Sequence, residues 1–431
     1  MMRPSDQKVA VVLGSGFPAM LGVITSLGRQ GWRVIVIDRR HGMAMYSKYV
    51  DQRIVIPADA MNVEEDQLFM PERRFPCKWL IDKINELDLP QGATIFPVSD
   101  EATYFASCNH EELSRNFIVA CAPWSVIEPL WDKRSSFELA RSVGIDVPEY
   151  YTPQSGRELK EIVAKLNFDE QVWMIRQEVT ASEPTTIDGQ LTSPGVGDAT
   201  AFLEQCLELK HRSGNFPLIA EVIPGTARHC IGVTVVIAPD NTRIVRYCTR
   251  RIEVFPYVEV SAGNPYYPGG NVLCETYHDE EAIDAADRLL TAAAYYGTAT
   301  IEFRRHAGSD HLVMLKFDPR INNQMALGRA IGQDEALAAV DVFRGAELSR
   351  AAEFPDGVTW LWAGAFFWGM SKRRKRMPVL DQLSLLLRQI PGIQAVGDFS
   401  IGDPRPFFVT LWRGLKLLSR KLVKTPHHDN P

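Results

Sequence analysis

At 431 residues the chain exceeds what one hydrophobic core usually serves, so two to three packed units are expected. Hydrophobic residues make up 45% and charged residues 23%, which excludes disorder as the default, and a formal net charge of -6 gives no reason to expect nucleic acid. No apolar run approaches the roughly 20 residues of a spanning helix, and seven scattered cysteines without a Cys-x-x-Cys pair suit a reducing cytoplasm.

The N-terminal stretch reads as a parallel α/β unit. Val9 to Leu13 is a buried-strand pattern too short for a secretory signal, and Gly14-Ser15-Gly16 is a turn. Ala19 to Gln30 has helical spacing, and Val34 to Asp38 is a second strand. Asp38 stands where a dinucleotide fold places its ribose carboxylate, which raises a nicotinamide-dependent oxidoreductase as a rival reading. The glycine fingerprint is incomplete, because Ala19 takes the place of its third glycine and Pro18 removes a helix amide. Strands are predicted at Ile54 to Ile56, Ala93 to Phe96 and Phe117 to Ala120, so a doubly wound sheet should extend to about residue 120. Asp100 and Glu101 follow the carboxyl end of one of these strands, where open sheets place ligands, although both could serve to cap the next helix.

Beyond residue 120 the pattern changes to α+β. A helix near Lys133 ends at Gly144, and a strand from Val172 to Ile175 runs into Arg176. Pro194-Gly195-Val196-Gly197 is a glycine turn that feeds a helix from Ala199 to Arg212; such a turn can lay amides over phosphates. Strands follow at Pro217 to Ile223, Gly232 to Ile237 and Arg243 to Tyr247, then a helix from Asp279 to Tyr296. Thr298 to Phe303 and Leu312 to Asp318 form a hairpin across Gly308-Ser309-Asp310. Each strand of this hairpin carries an acid in apolar surroundings, Glu302 and Asp318, and buried carboxylates demand a partner or an ion. Carboxylates on adjacent rigid strands are what a magnesium ion between phosphates would need. The alternative is that both acids face solvent and Arg320 pairs with one of them.

The ordered set resembles the ATP-grasp superfamily. Ile301-Glu302-Phe303 followed by Leu315-Lys316-Phe317-Asp318-Pro319-Arg320-Ile321-Asn322 resembles its Glu-containing strand and Leu-Glu-Ile-Asn-Pro-Arg signature. Asp132-Lys133 with Gly144-Ile145-Asp146-Val147-Pro148 looks like its Asp-Lys helix and Gly-Ile-x-x-Pro entry, and Ile219 to Gly225 looks like its hinge strand. Ser47-Lys48-Tyr49 and Phe96 to Glu101 look like the N-terminal unit of its carboxylate-amine ligase branch, which also resembles D-aspartate ligases. The resemblance implies a pre-ATP-grasp domain over 1–120, an ATP-grasp domain of two α+β subdomains over 121–345 with a lid near 150–222, and a C-terminal extension over 346–431. It implies ATP and Mg2+ as cofactors, small carboxylate and amine substrates, and amide formation through an acyl phosphate. Lys133 and Arg176 would meet phosphate, Gly195 and Gly197 would close over it, and Glu221 with the main chain of Val222 and Ile223 would hold adenine. Glu302 and Asp318 would hold metal, Arg320 would steady the transition state, and Arg250 or Arg251 would hold the substrate carboxylate or γ-phosphate. Lys316 departs from the family's second metal-binding Glu, Asp318 from its Asn and Arg176 from its Lys, so a non-catalytic nucleotide-binding protein is the alternative. Relatives of this kind are often dimers, so a homodimer is also expected.

The tail combines aromatics over 358–370, the basic run Lys372-Arg373-Arg374-Lys375-Arg376, and a basic amphipathic stretch over 411–424. Two readings stand: a core strand with a solvated turn, or peripheral contact with an anionic surface at the inner face of the membrane through 358–376 and 411–424.

Overall fold

The computed structural model describes residues 8–14, 18–39, 41–57, 60, 77–168, 170–176, 186–187, 190–191, 199–255, 270–373 and 378–412. The first unit is a five-stranded parallel sheet in the order β3-β2-β1-β4-β5. Its strands are β1 (Val9–Leu13), β2 (Arg33–Asp38), β3 (Gln52–Val55), β4 (Thr94–Pro97) and β5 (Ile118–Val119). Helix α1 (Pro18–Arg29) crosses from β1 to β2, and α2 (Cys77–Glu86) precedes β4. The continuous apolar strand sequences follow from coverage of both sheet faces, as β1 and β4 are wholly buried. Gly14 has φ +152°, and a Cβ there would lie 2.4 Å from Val98 Cγ2, so the turn after β1 serves a close approach to the end of β4. Asp38 is buried, and its carboxylate accepts a hydrogen bond from the Arg39 amide at 2.7 Å.

Helix α3 (Asp100–Cys108) starts at the carboxyl end of β4 and is capped by Ser99, whose hydroxyl accepts from the Ala102 amide at 3.2 Å. Asp100 and Glu101 therefore occupy the first turn without being the cap. After α4 (Trp124–Trp131), Asp132 caps α5 (Lys133–Ser142) by accepting from the Ser135 amide at 2.8 Å, which fixes Lys133 as the first helical residue.

A second sheet is antiparallel, ordered β6-β10-β7, from β6 (Tyr150–Tyr151), β7 (Trp173–Arg176) and β10 (Leu218–Glu221). The short pair β8 (Thr186–Ile187) and β9 (Gln190–Leu191) lies between β7 and β10 in sequence. Helices α6 (Gly156–Val163) and α7 (Ala199–Ser213) pack together, and Leu159, Trp173, Phe202 and Ile219 share one core with them.

The third sheet has seven strands in the order β15-β14-β11-β12-β13-β16-β17. They are β11 (Cys230–Ile237), β12 (Arg243–Phe255), β13 (Gly270–Thr276), β14 (Gly297–Arg305), β15 (Leu312–Asp318), β16 (Thr359–Leu361) and β17 (Ile393–Val396). Helix α8 (Glu280–Ala292), capped by Asp279, crosses from β13 to β14. Two further helices, α9 (Met325–Ala330) and α10 (Glu335–Arg344), follow β15 and pack against α1, which brings the third sheet onto the first unit.

The aromatic run is part strand and part helix. Trp360 on β16 is fully buried, and the chain then enters α11 (Ala363–Arg373), where Phe366 is buried and Phe367 is half exposed. Helix α12 (Val379–Gln389) leads to β17, so the tail completes the seven-stranded sheet. Lys372 and Arg373 lie in α11, whereas Arg374 to Arg376 and 413–424 lie outside the described residues. No helix among the described residues is long and apolar enough to cross a membrane.

Candidate active site

Alternation along β14 and β15 builds the site. Ile301, Phe303 and Phe317 are buried in the main core, so Thr300, Glu302, Lys316 and Asp318 point to the opposite face. Cross-strand register places Glu302 opposite Lys316 and Thr300 opposite Asp318. On the other side Glu302 pairs with Gly232 of β11, and Gly232 pairs with Thr249 of β12. Arg251 of β12 reaches Glu302 at 2.6 Å, and a Cβ at Gly232 would lie 3.2 Å from Thr249 Oγ1.

Lys316 Nζ lies 2.7 Å from Asp318 Oδ2 and 3.5 Å from Glu302 Oε1. Arg320 Nε binds Asp100 Oδ1 at 2.5 Å, and its Nη2 is 3.8 Å from Asp318 Oδ1. The carboxyl end of β4 and the end of the hairpin are thus joined by one ion pair, with Asp100 buried and Arg320 18% exposed, between residues 220 positions apart. A small space of about 10 Å³, room for about one water, lies beside Arg320 and is lined by Pro97, Thr103, Pro319 and Arg320. Helix α5 packs on β15, and Lys133, itself buried, acts electrostatically on Asp318.

The charges tune one another. Burial by itself would raise the Asp318 carboxyl, but Lys316 and Arg320 outweigh it and hold the group at about 2. Burial likewise opposes ionisation of Glu302, and the Arg251 guanidinium with Lys316 brings it below its ordinary value. Lys316 is pushed up despite burial, because Asp318 and Glu302 face it. Asp100 is pushed up by burial, against the pull of Arg320.

Five predicted residues therefore meet on one floor with Lys316: Lys133, Arg251, Glu302, Asp318 and Arg320. Arg250, the other strand arginine, turns away to Glu275 at 2.8 Å and lies over Tyr277. Glu221 and Arg176 belong to the three-stranded sheet, at opposite ends of the paired strands β10 and β7. Glu221 Oε2 accepts from the Glu149 amide at 3.1 Å. The Val222 amide donates to the Val172 carbonyl at 2.8 Å, so it is committed to the sheet, and both Val222 and Ile223 are buried. The side chain of Arg176, like Gly195 and Gly197, lies outside the described residues.

Three contributors play parts that the motifs by themselves did not assign. Asn322 donates to Thr234 Oγ1 at 2.6 Å and Thr300 Oγ1 at 3.2 Å, locking the chain after Arg320 onto the sheet. The Gly225 carbonyl accepts from the buried Arg304, and the Pro224 carbonyl accepts from the Ala307 amide at 3.0 Å, so the exit of β10 is tied to the hairpin. A signal existed for Gly232, a lone glycine within an apolar strand, which marks close approach.

Magnesium asks for oxygen donors at about 2.0–2.1 Å in an octahedron. Of the four carboxylate oxygens of Glu302 and Asp318, one meets Arg251, two face Lys316, and Asp318 Oδ1 has no hydrogen-bond partner. No cluster of three or more His, Cys, Asp or Glu side chains fit for a metal occurs among the described residues. The donor set as folded does not fit the carboxylate pair expected to hold magnesium, because the Lys316 ammonium fills the space between the two acids.

The solved structures similar to this chain share its architecture. The biotin carboxylase domain of Hydrogenobacter thermophilus 2-oxoglutarate carboxylase, solved with MgADP, ADP and bicarbonate, superposes with a TM-score of 0.59 at 13% identity, covering 82% of this chain and 73% of that one. N5-carboxyaminoimidazole ribonucleotide synthetase in its ADP complex gives 0.58 at 13% identity, with 88% of this chain and 87% of that one covered. The chain has the ATP-grasp fold. An L-amino acid ligase from Bacillus licheniformis shares that fold at a TM-score of 0.52 and 11% identity, over 79% of this chain and 75% of that one. No protein-family model and no curated protein matches the sequence. In this ATP-grasp fold the hairpin of β14 and β15 supplies the floor of the candidate site, and the three-stranded sheet carries Glu221 and Arg176.

Proposed function

We propose that the chain is an ATP-dependent carboxylate-amine ligase. The observation that carries this reading is the convergence of Lys133, Glu302, Asp318 and Arg320 at one end of the β14–β15 hairpin, in an ATP-grasp fold. In the proposed reaction a substrate carboxylate oxygen attacks the γ-phosphorus of ATP, the bond to the bridging oxygen breaks, and ADP leaves an acyl phosphate. An amine nitrogen then attacks the acyl carbon, phosphate departs, and the nitrogen loses a proton to give an amide. Such a transfer needs cations over the developing phosphoryl charge, which is the part of Arg320 and Lys133. Arg176 and the loop with Gly195 and Gly197 would cover the phosphates, and Glu221 with the Val222 carbonyl and the Ile223 main chain would hold adenine. Arg251, committed to Glu302, would position that carboxylate rather than hold substrate. On this reading 1–120 and 121–345 act as one enzyme, in the cytoplasm, and a homodimer is its proposed assembly.

The test is ADP release by the purified protein across panels of carboxylates and amines. Release should require one of each and should fall at least about a hundredfold in Glu302→Gln, a loss of roughly 3 kcal/mol of transition-state stabilisation. Nucleotide binding without turnover for any pair would instead favour a non-catalytic nucleotide-binding protein, the reading that Lys316 motivates.

For the tail we propose contact with an anionic lipid surface. Leu380, Leu383, Leu387 and Ile390 follow helical spacing on one side of α12 and are exposed, Leu380 by 78%, while Gln382 of the same helix is buried. Phe408, Leu411 and Trp412 are also exposed, and basic runs flank the segment in sequence at 372–376 and 413–424.

A further inference from the structure

Lys316 is the residue least expected in this site. Its ammonium lies between Asp318 Oδ2 at 2.7 Å and Glu302 Oε1 at 3.5 Å, on the strand position directly opposite Glu302. A divalent ion bridging these two acids would have to take up the same space, at oxygen distances of about 2.0–2.1 Å, against a fixed positive charge. The wider balance argues the same way. Four cationic side chains, Lys133, Arg251, Lys316 and Arg320, act on three carboxylates, Asp100, Glu302 and Asp318. The neighbouring Glu101 faces its own cation, Arg39, at 3.8 Å. The floor is therefore already neutralised, and its surplus is positive, which suits an incoming phosphate better than a second cation. Lys316 is 23% exposed and is held from two sides by carboxylates that are 20% and 5% exposed.

We propose that Lys316 is a resident cation occupying the place of a divalent ion between Glu302 and Asp318, so that nucleotide phosphates bind this site without a divalent ion there. This rests on the nucleotide-binding reading of the same site, and it adds which charge does the bridging. It also fixes the ligand class: a nucleoside phosphate taken up in its metal-free form, whose phosphate oxygens meet ammonium and guanidinium groups.

The experiment uses the full-length protein with ADP and with manganese as separate probes. In calorimetric titration ADP should bind with an affinity that differs by less than about threefold between magnesium and EDTA buffers. Lys316→Glu, which exchanges the resident cation for a third acid, should make ADP binding depend on magnesium by about tenfold or more. Manganese titrated alone, followed by electron paramagnetic resonance, should find no bridging site in the wild type and one new site in Lys316→Glu, with a manganese-dependent rise in melting temperature. Should that variant fail to fold, Lys316→Gln removes the cation without adding an acid and should also gain manganese binding. A wild-type protein that binds ADP only with magnesium, or that binds manganese as tightly as the variants, would overturn the assignment. ADP that binds in neither buffer would sink the nucleotide reading, and the manganese titration would still judge Lys316 by itself.

Discussion

Glu335 offers a test of the burial argument away from the candidate site. Its side chain is 0% exposed at the start of α10, and Tyr247 donates a hydrogen bond to Oε1 at 2.5 Å while Oε2 has no partner. Burial outweighs the Tyr247 hydrogen bond and pushes the carboxyl up to about 8, from an unfolded value near 4.5. The folded state therefore keeps a proton that the unfolded chain releases between these two values. Stability from this group is complete below about pH 4.5 and is lost as pH rises toward about 8. At about 1.4 kcal/mol per unit the loss over the window is on the order of a few kcal/mol. Glu335→Gln keeps the shape and removes the titration. Urea unfolding of both proteins at pH 5 and pH 8 should show similar stability at the lower pH and a more stable variant at the higher one. Parallel pH dependences, within about 0.5 kcal/mol, would refute the claim that an unpaired buried carboxyl sits there.

The Asp100–Arg320 pair should behave as a buried link between two units. Asp100→Asn should cost about 3 kcal/mol in urea unfolding by leaving the Arg320 guanidinium undercompensated, and pairing it with Arg320→Met should recover part of that loss; additive effects would deny the coupling. For the tail, sedimentation with liposomes containing anionic lipid at low salt should pull down the wild type. The double substitution Leu380→Asp with Leu387→Asp should abolish that pull-down without changing the melting temperature by more than a degree or two, and equal sedimentation of both proteins would end the lipid proposal.

Much of this protein is legible without its coordinates. The continuous runs at β1 and β2, the glycine that closes β1 at Gly14, the helices near Lys133 and after Asp279, and the acids within β14 and β15 are all local patterns. Local sterics and hydrogen bonding decide them within a few residues. Alternation fixes that Lys316 and Asp318 share one face of their strand, because strand side chains have a period of two; that Glu302 joins them depends on the hairpin register.

What the sequence could not give is which charges meet. Arg320 lies two residues from Asp318, yet its closest partner is Asp100, which the fold brings from another sheet. Arg251 reads as one of a pair of strand arginines, and the sheet sets it against Glu302 of β14, while Arg250, on the other face of β12, meets Glu275. Lys316 looks like a lost acid until the hairpin register sets it against Glu302 and Asp318 together. The aromatic tail was ambiguous for the same reason, since only its pairing with β13 buries Trp360 and leaves the leucines of α12 outside. Chain-local forces choose helix, strand and facing; Coulomb and packing energies depend on distances between remote residues, and only the tertiary structure sets those distances.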